Sequence, residues 1–179
     1  MVGRLSAEKG YDRLIPIAAE LKKRFPDWRI DVFGDGPMRV VIAEMLRKNS
    51  LTDYVNLHGQ VSNIGEQYCE SDLLMLTSPS EALPMAIIEA NSQGLPAIGY
   101  ENEGTKALID DGRTGFIIPD GDVDGFIERL GLLIEDRRLR EEMGQNALKK
   151  VEMFKPERVK QLWICLLKRP DIETENLSE

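Results

Sequence analysis

A chain of 179 residues with 42% hydrophobic content is the size of one ordinary domain and can bury a sizeable core, so it is not a disordered tail. Thirty-one acidic against twenty-three basic residues leave a formal charge of −8, which argues against an extended nucleic-acid surface built on phosphate neutralisation. Two cysteines without ligand spacing, Cys69 and Cys165, and a single histidine, His58, supply neither a His-rich metal site nor a catalytic His pair.

No run is long enough to span a bilayer, and Met1–Arg4 lacks the apolar stretch of a secretion signal. The expectation is a reduced, cytoplasmic chain, at most peripheral to a membrane.

Short apolar runs bounded by Gly, Pro, Asp or Ser predict strands at 1–4, 28–33, 54–57, 73–77, 96–100 and 115–118. Helical periodicity predicts a first helix over 11–25, with Leu14, Ile17, Ala18, Leu21 and Phe25 on one face, kinked or delayed by Pro16. Further helices are expected at 38–48, 84–92, 105–110, 123–134, 138–151 and 156–167.

This β-α-β-α rhythm implies an α/β domain: a Rossmann-like parallel sheet, right-handed crossovers and helices on both faces. Ligands then bind at the carboxyl ends of the strands. Residues 1–170 form one domain and 171–179 a polar, disordered tail. The opening strand looks cut short, as in the later part of a longer protein.

Charge is uneven along the chain. Residues 1–50 carry ten Lys or Arg against seven acids, whereas residues 51–100 carry six acids and no Lys or Arg. An anion bound by the middle third therefore draws its cations from elsewhere, and the start of the chain is the nearest source.

The most informative segment is Ser80-Glu81-Ala82-Leu83-Pro84-Met85-Ala86-Ile87-Ile88-Glu89-Ala90. Pro84 suits the first position of a helix, and the free N–H groups of that turn attract phosphate or carboxylate. Glu89 is the only charged residue between Ala82 and Tyr100. On so apolar a helix its carboxylate must meet water, a cation or ligand hydroxyls; pairing with a basic neighbour is the alternative. Glu89 lies about 7–8 Å along the axis from Pro84, which aims it and Glu81 at one mouth. At the other end, Arg4 and Lys9 flank the loop after the first strand and could clamp a diphosphate, or could simply be solvated.

Gly3-Arg4-Leu5 with Lys9-Gly10, Gly34-Asp35-Gly36-Pro37, the Glu81-x7-Glu89 pair, Gly94-Leu95-Pro96, Thr114-Gly115-Phe116 and Pro119-Asp120-Gly121-Asp122 follow one another in order. Over residues 2–170 this set resembles the carboxyl-terminal, donor-binding half of retaining family-four glycosyltransferases of the GT-B fold. The resemblance implies that the chain binds a nucleoside diphosphate sugar (UDP-, ADP- or GDP-linked) and needs neither metal nor other cofactor. It also implies little transfer without the amino-terminal acceptor domain. Arg4 and Lys9 would grip the diphosphate and stabilise the leaving nucleotide, and Glu81 would face the sugar hydroxyls; these three would carry the catalysis. Glu89 would take the ribose, and the backbone around Leu83, Pro84 and Met85 would complete the sugar and phosphate site. Gly34, Gly36, Gln60 and Val61 would surround the nucleoside, and Gly3 would belong to the same donor site.

The chain departs from the family pattern in two places. Ala82 replaces the usual glycine, and Glu101–Leu108 lacks the usual paired glycines and glutamate.

Asp120-Gly121-Asp122-Val123-Asp124-Gly125 imitates half a calcium loop, but the twelfth position is Gly131, so a helix-starting turn is expected. Gly34-x-Gly36 meets Arg39 where a dinucleotide fingerprint needs glycine. His58 is read as structural. On 156–167, Val159, Leu162, Trp163 and Leu166 share a face flanked by cations, which suits the sheet, the acceptor domain or a membrane surface. A non-catalytic interaction module and a sugar-nucleotide epimerase are the competing functional readings.

Overall fold

The computed structural model describes residues 1–168. The last two residues of the expected domain, 169–170, and the expected tail, 171–179, lie outside them. Five strands are present: β1 (Ile30–Phe33), β2 (Val55–Gly59), β3 (Leu74–Leu76), β4 (Ala97–Tyr100) and β5 (Gly115–Ile118). They alternate with α1 (Tyr11–Arg24), α2 (Arg39–Lys48), α3 (Ile64–Cys69), α4 (Met85–Ser92), α5 (Glu103–Leu108) and α6 (Val123–Glu135), followed by α7 (Arg137–Val151) and α8 (Pro156–Leu167). All strand pairings are parallel, β1 with β2 and β3-β4-β5 in order, so the α/β reading holds.

The expected first strand shrinks to one bridge, Val2 beside Phe33, held by Gly3 N–H to Phe33 O at 3.0 Å and Phe33 N–H to Met1 O at 2.9 Å. Beyond Gly3 the chain leaves the ladder and is held by the next loop, where Leu5 N–H donates to Asp35 O at 3.0 Å. That loop can come so close because it is built on glycine: a Cβ on Gly34, at φ +133°, would collide with the Gly3 carbonyl, and one on Gly36 with the Leu5 carbonyl.

Where one sheet was expected, the described residues form two, β2-β1 with Val2 bridged to its edge and β3-β4-β5, with no strand pairing between them. Thr77, just past β3, donates its hydroxyl to the Lys9 carbonyl at 3.4 Å. The two sheets meet here, past the carboxyl ends of Val2 and β3, and ligands of open α/β sheets bind at such strand ends.

α1 is one uninterrupted helix despite Pro16. Pro16 and Asp12 are both exposed, so the Asp12 carbonyl that loses its helical donor meets water. The opposite face buries Leu14, Ile17 and Leu21 at 2% exposure or less, each contributing about 1.5–3 kcal/mol. α5 starts two residues earlier than the periodicity suggests because Asn102 and Thr105 form a reciprocal cap, both bonds at 3.0 Å. α3, six residues with Gly65 inside it, is absent from the sequence reading.

Asp122 caps α6 by accepting from Gly125 N–H at 2.9 Å, and Asp120 pairs with Arg13, so the acidic turn starts a helix. His58 stacks on Phe33 at 4.7 Å and bonds Asp31, a structural role. No residue of α8 is buried, and Leu162 and Trp163 are 63% and 59% exposed, so among the described residues this helix does not pack into the sheet. No helix among those residues is long and apolar enough to cross a membrane.

Candidate active site

The loops where the two sheets meet form two adjoining parts. The first is a groove of about 410 Å³. Val2, Gly3 and Arg4 enter it from the opening segment, Phe33, Gly34 and Asp35 from the end of β1, Gln60 and Val61 from the end of β2, and Ile64 from α3. Three residues expected around a nucleoside, Gly34, Gln60 and Val61, are therefore brought together with the donor-site residues Gly3 and Arg4. Gly36 is not in the groove. It lies against Leu5, with its N–H on its neighbour Asp35 at 2.7 Å, and its function is to let two loops touch. Arg4 is exposed and makes no ion pair among the described residues.

The second part surrounds Glu81. Lys9, on a single 3-10 turn closed by Gly10, places its ammonium 2.7 Å from Glu81 Oε1. Ser78 donates its hydroxyl to the same oxygen at 2.8 Å. The two charged residues are 72 positions apart in sequence. Their side chains are 31% and 11% exposed, so the pair is sheltered on the carboxylate side. Without a diphosphate, the two cations of the expected clamp differ: Lys9 is paired and Arg4 is not, among the described residues. Lys9 satisfies the nearest carboxylate, because leaving Glu81 so covered without a cation would be costly.

Tyr11 connects the two parts. Its hydroxyl donates to the Gly3 carbonyl at 3.3 Å, and burial together with the Glu81 charge pushes its phenol up to about 12.

The α4 start differs from expectation by one position: Pro84 is the cap and Met85 the first helical residue. Pro84 O accepts from Ile87 N–H at 2.9 Å, while the N–H groups of Met85 and Ala86 have no acceptor among the described residues. The Leu83 and Met85 side chains are exposed beside them. The loop is braced from behind: Gly104 N–H donates to Glu81 O at 2.8 Å and the Asn102 amide to Ser78 O at 3.2 Å. A Cβ on Gly104 would come within 2.6 Å of Pro84 and 2.7 Å of Glu81 O, so this glycine is required although its partner glycine is missing.

Glu89 is half-buried on α4 and makes no ion pair among the described residues; its one side-chain partner there is the Tyr68 hydroxyl, at 3.0 Å. Pairing with a basic neighbour is thereby set aside for those residues. Glu81, Leu83, Pro84, Met85 and Glu89 do not line the groove that holds Arg4. A separate cavity of about 370 Å³, between Trp28, Tyr54 and Ile134, contains none of the expected site residues.

Sequence reasoning missed Tyr11, Ser78, Tyr68 and Asn102. Tyr11 fits the core face of α1, Tyr68 sits on a helix too short for periodicity to register, and their hydroxyl partners lie in other elements, eight and 21 residues away. Ser78, three residues before Glu81, was the one local signal available.

The family model described as "Glycosyl transferases group 1" matches residues 1–150. The alpha-D-kanosaminyltransferase of Streptomyces kanamyceticus is 33% identical over 148 residues, covering 82% of this chain and 38% of the relative. Among solved structures, the pneumococcal O-GlcNAc transferase GtfA in complex with UDP and GlcNAc superposes with a TM-score of 0.84 at 25% identity, over 93% of this chain and 34% of that one. The C-terminal domain of a glycosyl transferase group 1 family protein from Francisella tularensis superposes at 0.75 with 21% identity, over 85% of this chain and 83% of that domain. The chain spans less than half the length of the curated relatives it matches. Its parallel α/β architecture matches GT-B glycosyltransferase domains, and the chain belongs to the group 1 glycosyl transferase family.

Proposed function

We propose that this chain is the donor half of a glycosyltransferase that moves a sugar, with retention, from a nucleoside diphosphate sugar to an acceptor held by an amino-terminal domain. The observation that carries the reading is the meeting of Lys9 with Glu81 where the two sheets adjoin, next to a groove that presents Arg4. Similarity to a transferase solved with UDP and GlcNAc supports the donor class.

In this reading the nucleoside lies along Gly3, Gly34, Gln60 and Val61, and its diphosphate points toward Arg4. The diphosphate competes with Glu81 for the Lys9 ammonium. A phosphate carries more charge than a single carboxylate, so Lys9 moves to it and Glu81 is released toward the sugar hydroxyls. Arg4, Lys9 and the free N–H groups at Met85 and Ala86 then stabilise the charge that builds on the departing nucleotide. Positive charge comes from these groups, and the reading calls for no metal or other cofactor. Both reactants must be positioned for the barrier to fall, so the chain alone binds donor and transfers little. The uncovered apolar face of α8 is assigned to the acceptor domain, with peripheral membrane contact as the alternative, and the location is read as cytoplasmic.

Calorimetric titration with UDP, ADP and GDP tests the proposal. One of the three is expected to bind; failure of all three in a folded sample contradicts it.

A further inference from the structure

Glu89 differs from every other acidic side chain near the site in having a single hydroxyl as its described partner. That hydroxyl belongs to Tyr68, which is 4% exposed and sits in the last turn of α3. Ile64, the first residue of α3, lines the nucleoside groove. Ile64 and Tyr68 are four apart and share one helix face. One short helix therefore forms a wall of the groove and anchors the carboxylate behind it. A second contact fixes the same two helices together: Cys69 Sγ lies 3.4 Å from Gln93 Oε1, just past the end of α4.

We infer that Tyr68 is a positioning residue for Glu89, holding Oε2 so that the remaining acceptor capacity of the carboxylate is left for the vicinal 2′- and 3′-hydroxyls of a ribose that extends from the groove past α3. The inference rests on the proposed function and deepens it. A glutamate side chain has three rotatable bonds, and ordering them at the moment of binding would cost affinity; a fixed donor removes that cost beforehand. Tyr68 suits the task because its ring fills the core among Leu74, Leu76 and Ile87 while its hydroxyl reaches out. Burial and the neighbouring carboxylate push its phenol far above the ordinary tyrosine value, so it stays protonated and keeps donating.

The test uses the full chain, UDP, ADP and GDP, and their 2′,3′-dideoxy analogues. The readout is the ratio of affinities for a nucleotide and its dideoxy form. Tyr68→Phe keeps the packed ring, and any loss of folded fraction lowers both affinities alike and cancels in the ratio. In the wild type the ratio favours the diol. Glu89→Gln is expected to reduce that preference, Tyr68→Phe to reduce it by about three- to tenfold, and the double variant to show no more than Glu89→Gln alone. If Glu89→Gln reduces the preference and Tyr68→Phe leaves it intact, the positioning role is overturned while the ribose assignment of Glu89 stands. A preference untouched by Glu89→Gln removes both and leaves the nucleotide reading in place. Absence of binding by any nucleotide removes the reading itself, and the diol with it.

Discussion

Glu81 and Glu89 lie eight residues apart in one loop and helix, yet their surroundings are opposite in kind. Glu81 is matched by an ammonium and a serine hydroxyl, and its backbone is pinned by Gly104. Glu89 has a phenol and no counter-ion among the described residues. A carboxylate that already holds a cation can act only by exchanging it, whereas one held by a neutral donor is ready to accept hydroxyls. In the proposed reading the same side chain is a latch at one position and a receptor at the other, and the difference comes from what the fold brings beside it.

The largest expected effect breaks the latch at its support. Gly104→Ala forces a Cβ into Pro84 and Glu81 and should destabilise the chain by about 2–3 kcal/mol, measured as a lower urea midpoint, with nucleotide binding lost as the Glu81 loop shifts. Arg4→Ala comes next: diphosphate affinity should fall about ten- to a hundredfold, with the urea midpoint unchanged because Arg4 is exposed and unpaired among the described residues. Glu81→Gln sharpens the comparison. It frees Lys9, so UDP should bind about two- to fivefold tighter by calorimetry, while a UDP-sugar loses any advantage over UDP.

The smallest effect concerns Tyr11, whose phenol is raised to about 12 in the fold against about 10 in the unfolded chain. Between those values the folded chain holds the proton more tightly, so stability present below pH 10 is lost as pH rises toward 12. Tyr54, Tyr68 and Tyr100 are shifted in the same direction, so Tyr11→Phe should make the decline of the urea midpoint over this range shallower without abolishing it.

Helix periodicity and bounded apolar runs gave the sequence of elements because those signals are local. The errors are local conflicts decided by tertiary contacts. Val2 pairs and Arg4 does not, because glycine loops draw the chain off the ladder; α5 begins at Glu103 because the Asn102 cap outweighs the apolar pattern. α3 has six residues and a glycine, too short for periodicity to register, although Ile64 and Tyr68 stand one turn apart.

The site was legible as a list of residues and not as a set of partners. Arg4, Gln60 and Val61 were placed together by resemblance and do line one groove, but nothing local joins Lys9 to Glu81. A hydroxyl support such as Tyr68 is invisible for the same reason, since a tyrosine in a core looks ordinary until its acceptor is located.

A crystal structure of the chain with UDP bears most directly on the exchange of partners by Lys9. The expected result is a diphosphate against Arg4 with the Lys9 ammonium moved from Glu81 onto a phosphate oxygen. UDP bound with the 2.7 Å contact between Lys9 and Glu81 intact, or with its diphosphate away from Arg4, would contradict the account.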